Sequence, residues 1–192
     1  MKRILPVWIT VLILILPEWT HPQSFKFSLK GGVVVALPAA EILSMRELYL
    51  EYSPALDKIP FDFSIRLIQD SYDHFIWGDS TRWGAKWIIK FTDGPLIVKA
   101  GPGMSLASTY SLKNQTSFDL YLALEYSLFL VEMDNLFFKD GFFNKNSIAI
   151  EFALNPEKQN FLMILGLGGY LNSDYKKFSY YPFLFGGLSY EF

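Results

Sequence analysis

The chain has 192 residues, enough for one domain and too few for two ordinary ones. Aromatic residues make up 18% of it and charged residues 19%, a balance that suits strands and membrane interfaces and argues against disorder. The 17 basic and 19 acidic residues leave a net charge of −2, which excludes a polycationic nucleic-acid surface, and with no cysteine there is no disulfide framework, thiolate chemistry, cysteine zinc site or lipoprotein anchor.

The amino end carries Lys2 and Arg3, an apolar run from Ile4 to Leu16, and then Pro17. About thirteen apolar residues are too few for a membrane helix, which needs roughly 20, but they suit a secretory signal. Residues 1–24 are therefore expected to be a signal peptide cut near Ser24, and residues 25–192 the exported domain. No longer apolar run follows, so an exported chain of this kind is either soluble or a barrel.

Period-two patterning then dominates. Phe25, Phe27, Leu29, Val33 and Val35 alternate with Lys26, Ser28, Lys30, Gly32 and Val34, which predicts a strand with one dry and one wet face. Residues 37–45 read as a connection. Leu48, Leu50 and Tyr52 oppose Glu47, Tyr49 and Glu51; after a turn over Pro54 to Pro60, Phe61, Phe63, Ile65 and Leu67 oppose Asp62, Ser64 and Arg66. Asp70 to Ser80 reads as a long polar and aromatic loop. Trp83, Ala85, Trp87, Ile89 and Phe91 face away from Arg82, Lys86 and Lys90, Asp93-Gly94-Pro95 marks a tight turn, and Leu96 to Ala107 returns with Lys99 and a Gly101-Pro102-Gly103 kink.

After a loop at Ser108 to Ser117 the alternation is cleanest. Leu120, Leu122, Leu124, Tyr126, Leu128 and Leu130 form one row, and Asp119, Tyr121, Ala123, Glu125 and Ser127 lie in the other. Ser147 to Leu154, Phe161 to Leu171 and Tyr180 to Phe192 complete the predicted strands. Single-chain barrels have an even number of strands, and this list has an odd one. A tenth strand is placed around Leu136 to Phe143, with Glu132 to Asn135 as a turn. The expected fold is all-β, an antiparallel transmembrane barrel of 8–10 strands with 10 favoured on parity.

The last stretch, YYPFLFGGLSYEF, sets Leu188, Tyr190 and Phe192 on one face. It resembles the closing strand of small bacterial outer-membrane β-barrels of the OmpX and OmpW type, in which the final aromatic and its alternating apolar partners form the signal read by the barrel-assembly machinery. That resemblance implies residence in the outer membrane, outer-membrane lipid and the assembly machinery as partners, and a monomer. Tyr52, Trp83, Tyr126, Tyr190 and Phe192 fall towards strand ends on the apolar faces, as interfacial aromatic belts require.

The other face then lines a lumen. Its bases are Lys26, Lys30, Arg66, Arg82, Lys86, Lys90 and Lys99; its acids are Glu47, Glu51, Asp62, Asp119, Glu125, Glu151 and Glu191. Balanced signs favour pairing across a narrow or filled interior over a selective pore. Tyr72, His74, Phe75 and Trp77 are the expected outer-loop contacts for a surface partner.

Catalysis is not expected. His74 stands near Asp70, Asp73, Asp79, Ser71 and Ser80, a set that could serve a rim lipid or peptide hydrolase, but no motif of barrel deacylases, palmitoyltransferases or omptin-type proteases accompanies it. No metal-loop spacing occurs, so neither cofactor nor metal is expected. The leading function is a structural or porin-like barrel, open to a small solute at most. The alternatives are an adhesin-like surface barrel and a soluble lipocalin-like carrier.

Overall fold

The computed structural model describes residues 24–36, 41–54, 62–75, 78–109, 114–155, 158–173, 175 and 178–192. The expected signal segment lies outside these residues except for Ser24, which already opens the first strand. Among the described residues there are ten strands: β1 (Ser24–Ala36), β2 (Glu41–Ser53), β3 (Asp62–Phe75), β4 (Gly78–Asp93), β5 (Leu96–Thr109), β6 (Gln115–Tyr126), β7 (Phe129–Phe138), β8 (Gly141–Asn155), β9 (Lys158–Ser173) and β10 (Phe178–Glu191). Each pairs antiparallel with its sequence neighbours, and β10 pairs with β1 to close the barrel. Closure leaves no free sheet edge. The seam runs from Lys26 opposite Glu191 to Val34 opposite Phe183.

Because β1 starts and β10 finishes at the same end, the barrel has a terminal end and a hairpin end. The Gly94-Pro95 and Ser127-Leu128 turns lie at the terminal end, and the Lys139-Asp140 turn at the hairpin end.

The ten-strand count agrees with parity, but the tenth strand lies elsewhere than expected. The segment from Leu136 to Phe143 is the tip of a hairpin, with Leu136 opposite Phe143 across the Lys139-Asp140 turn. The extra strand is β7, and Glu132 to Asn135, expected as a turn, lie inside it. The true turn interrupts the cleanest alternation in the chain. Tyr126 pairs with Phe129 across Ser127 and Leu128, and Ser127 adopts a left-handed φ of 55°. A two-residue turn shifts the parity of the facing residues by one. Leu130 therefore points inward, 4% exposed, although Leu120 to Tyr126 in its sequence row point outward. The pattern survived because the turn residue Leu128 and the buried Leu130 are both apolar.

The Asp70 to Ser80 loop is likewise strand for most of its length. β3 runs to Phe75 and β4 resumes at Gly78, with Asp70 directly opposite Arg82. Lumen-facing and loop residues are both polar, so composition alone does not separate them. Strands of 14 and 16 residues exceed the roughly 9–11 that a tilted bilayer crossing needs, so the barrel wall continues beyond the membrane where a loop was expected.

Along β9, glycines make room for rings from β10. A Cβ at Gly168 would stand 2.7 Å from the Phe183 ring, and Gly166 is similarly covered by Phe185. Neighbouring aromatics of this kind shield the backbone of strand glycines.

Candidate functional site

The two faces of the wall have opposite chemistry. β6 alternates strictly between exposed and buried positions, with Phe118, Leu120, Leu122 and Leu124 outside and Ser117, Asp119, Tyr121 and Ala123 inside. The same holds around the ring: Leu29 and Val33, Trp83 and Trp87, Ile148 and Ile150, Leu165 and Leu167, and Leu184 all stand exposed on the outer face. Six cations (Lys30, Arg66, Arg82, Lys86, Lys99, Lys145) and six anions (Glu47, Glu51, Asp70, Asp119, Glu132, Asp134) are buried inside.

A water-soluble barrel has the reverse polarity, because exposing this many large apolar side chains to water is unfavourable and burying twelve ions beneath them compounds the cost. In lipid both faces are satisfied. The outer face even carries aromatic belts. At the terminal end the Phe25 and Tyr52 ring centroids are 4.8 Å apart and those of Tyr190 and Phe192 4.7 Å apart, with Phe91, Tyr126 and Phe129 exposed nearby. Towards the hairpin end stand Trp83, Phe118, Phe137 and Tyr180. The protein is an outer-membrane β-barrel. Even strand number, an apolar band between two belts and a polar interior are the marks of that class, and they overturn the soluble-carrier alternative.

No protein-family profile matches the chain. No curated protein matches it either. Among solved structures it is similar to Neisserial surface protein A, at 12% identity over 88% of this chain and 97% of that one with a TM-score of 0.37. It is also similar to the Yersinia pestis outer membrane protein Ail (12%, 90% and 100%, TM-score 0.43) and to the translocator domain of the autotransporter NalP from Neisseria meningitidis (8%, 97% and 94%, TM-score 0.40). The membrane assignment rests on the barrel's own two faces.

Within the lumen, side chains meet in three layers. The central one is built on Glu132 of β7. Lys30 of β1 donates to it at 2.8 Å, Arg66 of β3 at 3.3 Å and the Tyr121 hydroxyl of β6 at 2.8 Å. Strands β1 and β3 each lie four places round the ring from β7, so these bonds cross the lumen. Arg66 also donates to Tyr121 at 2.9 Å, and its guanidinium lies 4.4 Å from the Tyr49 ring centre and 4.7 Å from that of Tyr121. Glu47 of β2 accepts from Lys145 of β8 and sits 3.3 Å from Lys30. A cavity of about 10 Å³ is lined by residues of this layer and the next, including Glu47, Arg66, Lys86, Glu132, Asp134 and Lys145. That is room for about one water molecule.

Nearer the hairpin end, Arg82 donates to Asp70 at 2.9 Å and to Asp134 at 3.2 Å, and lies 3.9 Å from Asp119. Lys86 pairs with Asp134, while Ser117 and Ser105 donate to Asp119, the former at 2.6 Å. Nearer the terminal end, Glu51 receives Arg66 at 2.7 Å, Lys90 at 3.0 Å and Ser64 at 2.9 Å. Lys99 pairs with Glu125, and Lys26 with Glu151 at 3.4 Å.

Glycines open the space these lysines use. A Cβ at Gly103 would stand 2.7 Å from the Lys86 side chain, and one at Gly187 would stand 3.0 Å from that of Lys30. Two lumen cations thus lie over bare backbone on the neighbouring strand.

Of the fourteen charges read from the sequence, the structure brings twelve into ion pairs and leaves Asp62 and Glu191 exposed at the terminal rim. The expected pairing of β4 and β5 bases with β6 acids holds for Arg82 with Asp119 and Lys99 with Glu125. Lys86 instead reaches β7, and Lys90 reaches back to β2.

The sequence pattern does not single out Asp70, Glu132, Asp134 and Lys145, because each reads as part of a loop, a turn or a gap between strands. The missed signal was the row Leu130, Glu132, Asp134, Leu136 and Phe138, a period-two set whose inner members are both charged and apolar. Tyr72, His74 and Phe75, expected in an outer loop, belong to the backbone of β3; Trp77 lies outside the described residues. Leu188 and Phe192 are exposed on the outer face at the seam, where the Phe192 amide donates to the Phe25 carbonyl at 2.9 Å. Among the described residues no three carboxylates or histidines converge as a metal site.

Proposed function

We propose that this protein is a non-conducting outer-membrane barrel, exported by its amino-terminal segment and built to stand as a rigid wall in the membrane without passing solute. The observation that carries the reading is the central layer, in which Lys30, Arg66 and Tyr121 converge on Glu132 from three strands and occupy the middle of the lumen. An ion or sugar moving through would have to break bonds between buried, mutually satisfied charges, and breaking one such pair costs about 3–5 kcal/mol. The reading includes no enzymatic step. Asp70, one of the carboxylates grouped with His74 in the sequence, is engaged inside the lumen by Arg82.

Planar-bilayer recording tests the proposal. The wild-type barrel is expected to give no steady single-channel current. A Lys30→Ala/Arg66→Ala/Glu132→Ala variant, which removes the three charges that meet across the layer while Glu47 keeps Lys145 and Glu51 keeps Lys90, is expected to conduct. Steady current through the wild type would refute the closed-lumen reading.

A further inference from the structure

The lipid-facing side of β7 and β8 carries a feature that neither the fold nor the closed lumen requires. Asn135, Asn144 and Asn146 point outward, in the same rows as the exposed Val131, Phe137, Ile148 and Ile150. They form a ladder: Asn144 donates to the Asn135 side-chain oxygen at 2.8 Å, and Asn146 donates to that of Asn144 at 2.5 Å. Asn135 reaches only the Leu120 carbonyl, at 3.5 Å.

The ladder lies within the apolar band. With a rise of about 3.3 Å per residue and strands tilted by roughly 40°, each residue climbs about 2.5 Å along the barrel axis. Asn135 therefore sits about 5 Å below Phe137 of the upper belt, and Asn146 about 10 Å below Phe142, on the same geometry. Each amide carries two N–H groups and two lone pairs, and the ladder engages only part of this set. Hydrocarbon cannot satisfy the remainder.

We propose that this face docks a second copy of the same chain, side by side in the membrane, with the two ladders meeting across a two-fold axis along the bilayer normal. Two features select a second copy. Copies of one barrel insert in the same orientation, so each ladder meets its twin at equal depth. An amide is both donor and acceptor, so a ladder is complementary to itself, as a two-fold interface demands. The hairpin tip has the same property: Lys139 and Asp140 are adjacent, exposed and opposite in charge, so each can face the other in the partner copy. Leu120, Met133, Ile148 and Leu167, on β6 to β9, surround the ladder with apolar contact area.

The chain has no cysteine, so single cysteines report position directly. Ile148→Cys lies just below the ladder, and Leu48→Cys on β2 occupies a lipid-facing position four strands away round the ring. In dilute proteoliposomes with a short bis-maleimide, Ile148→Cys is expected to yield several-fold more cross-linked dimer than Leu48→Cys. Adding Asn135→Leu, Asn144→Leu and Asn146→Leu to Ile148→Cys should bring its yield down to the Leu48→Cys level while heat-modifiable mobility is kept. Equal yields at the two faces, undiminished yield without the ladder, or the monomer expected from the sequence would overturn the proposal. The inference requires a membrane barrel but not a closed lumen, so current in the bilayer assay leaves it standing, whereas wild-type protein that fails to insert removes both readings.

Discussion

The lumen has two unlike walls. Around β3 to β6 it is polar up to the hairpin end, with Asp70, Arg82, Ser105, Ser117 and Asp119 buried there. Across from it, near the hairpin ends of β1, β2 and β7 to β10, it is mostly apolar, lined by Val34, Leu43, Met45, Leu136, Phe138, Phe143, Tyr170 and Phe183 with Asn172 among them. The apolar wall is knit between adjacent strands: Phe143 stacks near Tyr170 at 5.4 Å, and Tyr170 near Tyr181 at 5.0 Å. The charges reach much further along the chain, Lys30 to Glu132 across 102 residues and Lys145 to Glu47 across 98. Apolar contact is non-directional and can be satisfied by the nearest neighbour, whereas a buried ion needs a counter-ion placed at the right distance and angle. Only a closed ring supplies one from the far wall.

That contrast can be broken by deletion. Glu132→Ala leaves Lys30, Arg66 and Tyr121 without their shared acceptor, and a loss of about 3–5 kcal/mol is expected in urea unfolding from lipid vesicles. A loss below about 1 kcal/mol, the size of an exposed pair, would mean that water already screens the central layer. On the apolar wall, Leu136→Ala truncates a fully buried side chain and should cost about 2–5 kcal/mol by the same assay. Lys26→Met should cost least, at most about 1 kcal/mol, because Lys26 and Glu151 are partly solvated at the terminal rim. If Lys26→Met proved as damaging as Glu132→Ala, depth in the lumen would not be what gives a charge its weight.

Much of the barrel was legible in the sequence because a strand's period of two is local. Leu120 to Tyr126 and Phe25 to Val35 declare their faces residue by residue, and the even strand number of barrels favours a tenth. Legibility failed where one composition serves two structures. Asp70, Arg82 and their neighbours read as a loop because a lumen-facing strand is as polar as one, and Leu128 and Leu130 hid a turn because both are leucine. Glu132 and Asp134 were lost with that turn, and with them the centre of the site.

The sequence by itself determined a strand-rich chain with one apolar and one charge-balanced face, since alternation and equal signs are properties of segments and sums; that the apolar face points outward was decided by the closed ring. Which charge meets which, and that Glu132 gathers three partners from separate strands, was decided only by the tertiary structure. A counter-ion across a lumen is set by register and closure, and both are properties of the whole ring. The asparagine ladder has the same origin: Asn135, Asn144 and Asn146 are scattered polar residues in the sequence, and only the β7–β8 register aligns them on the side that faces lipid.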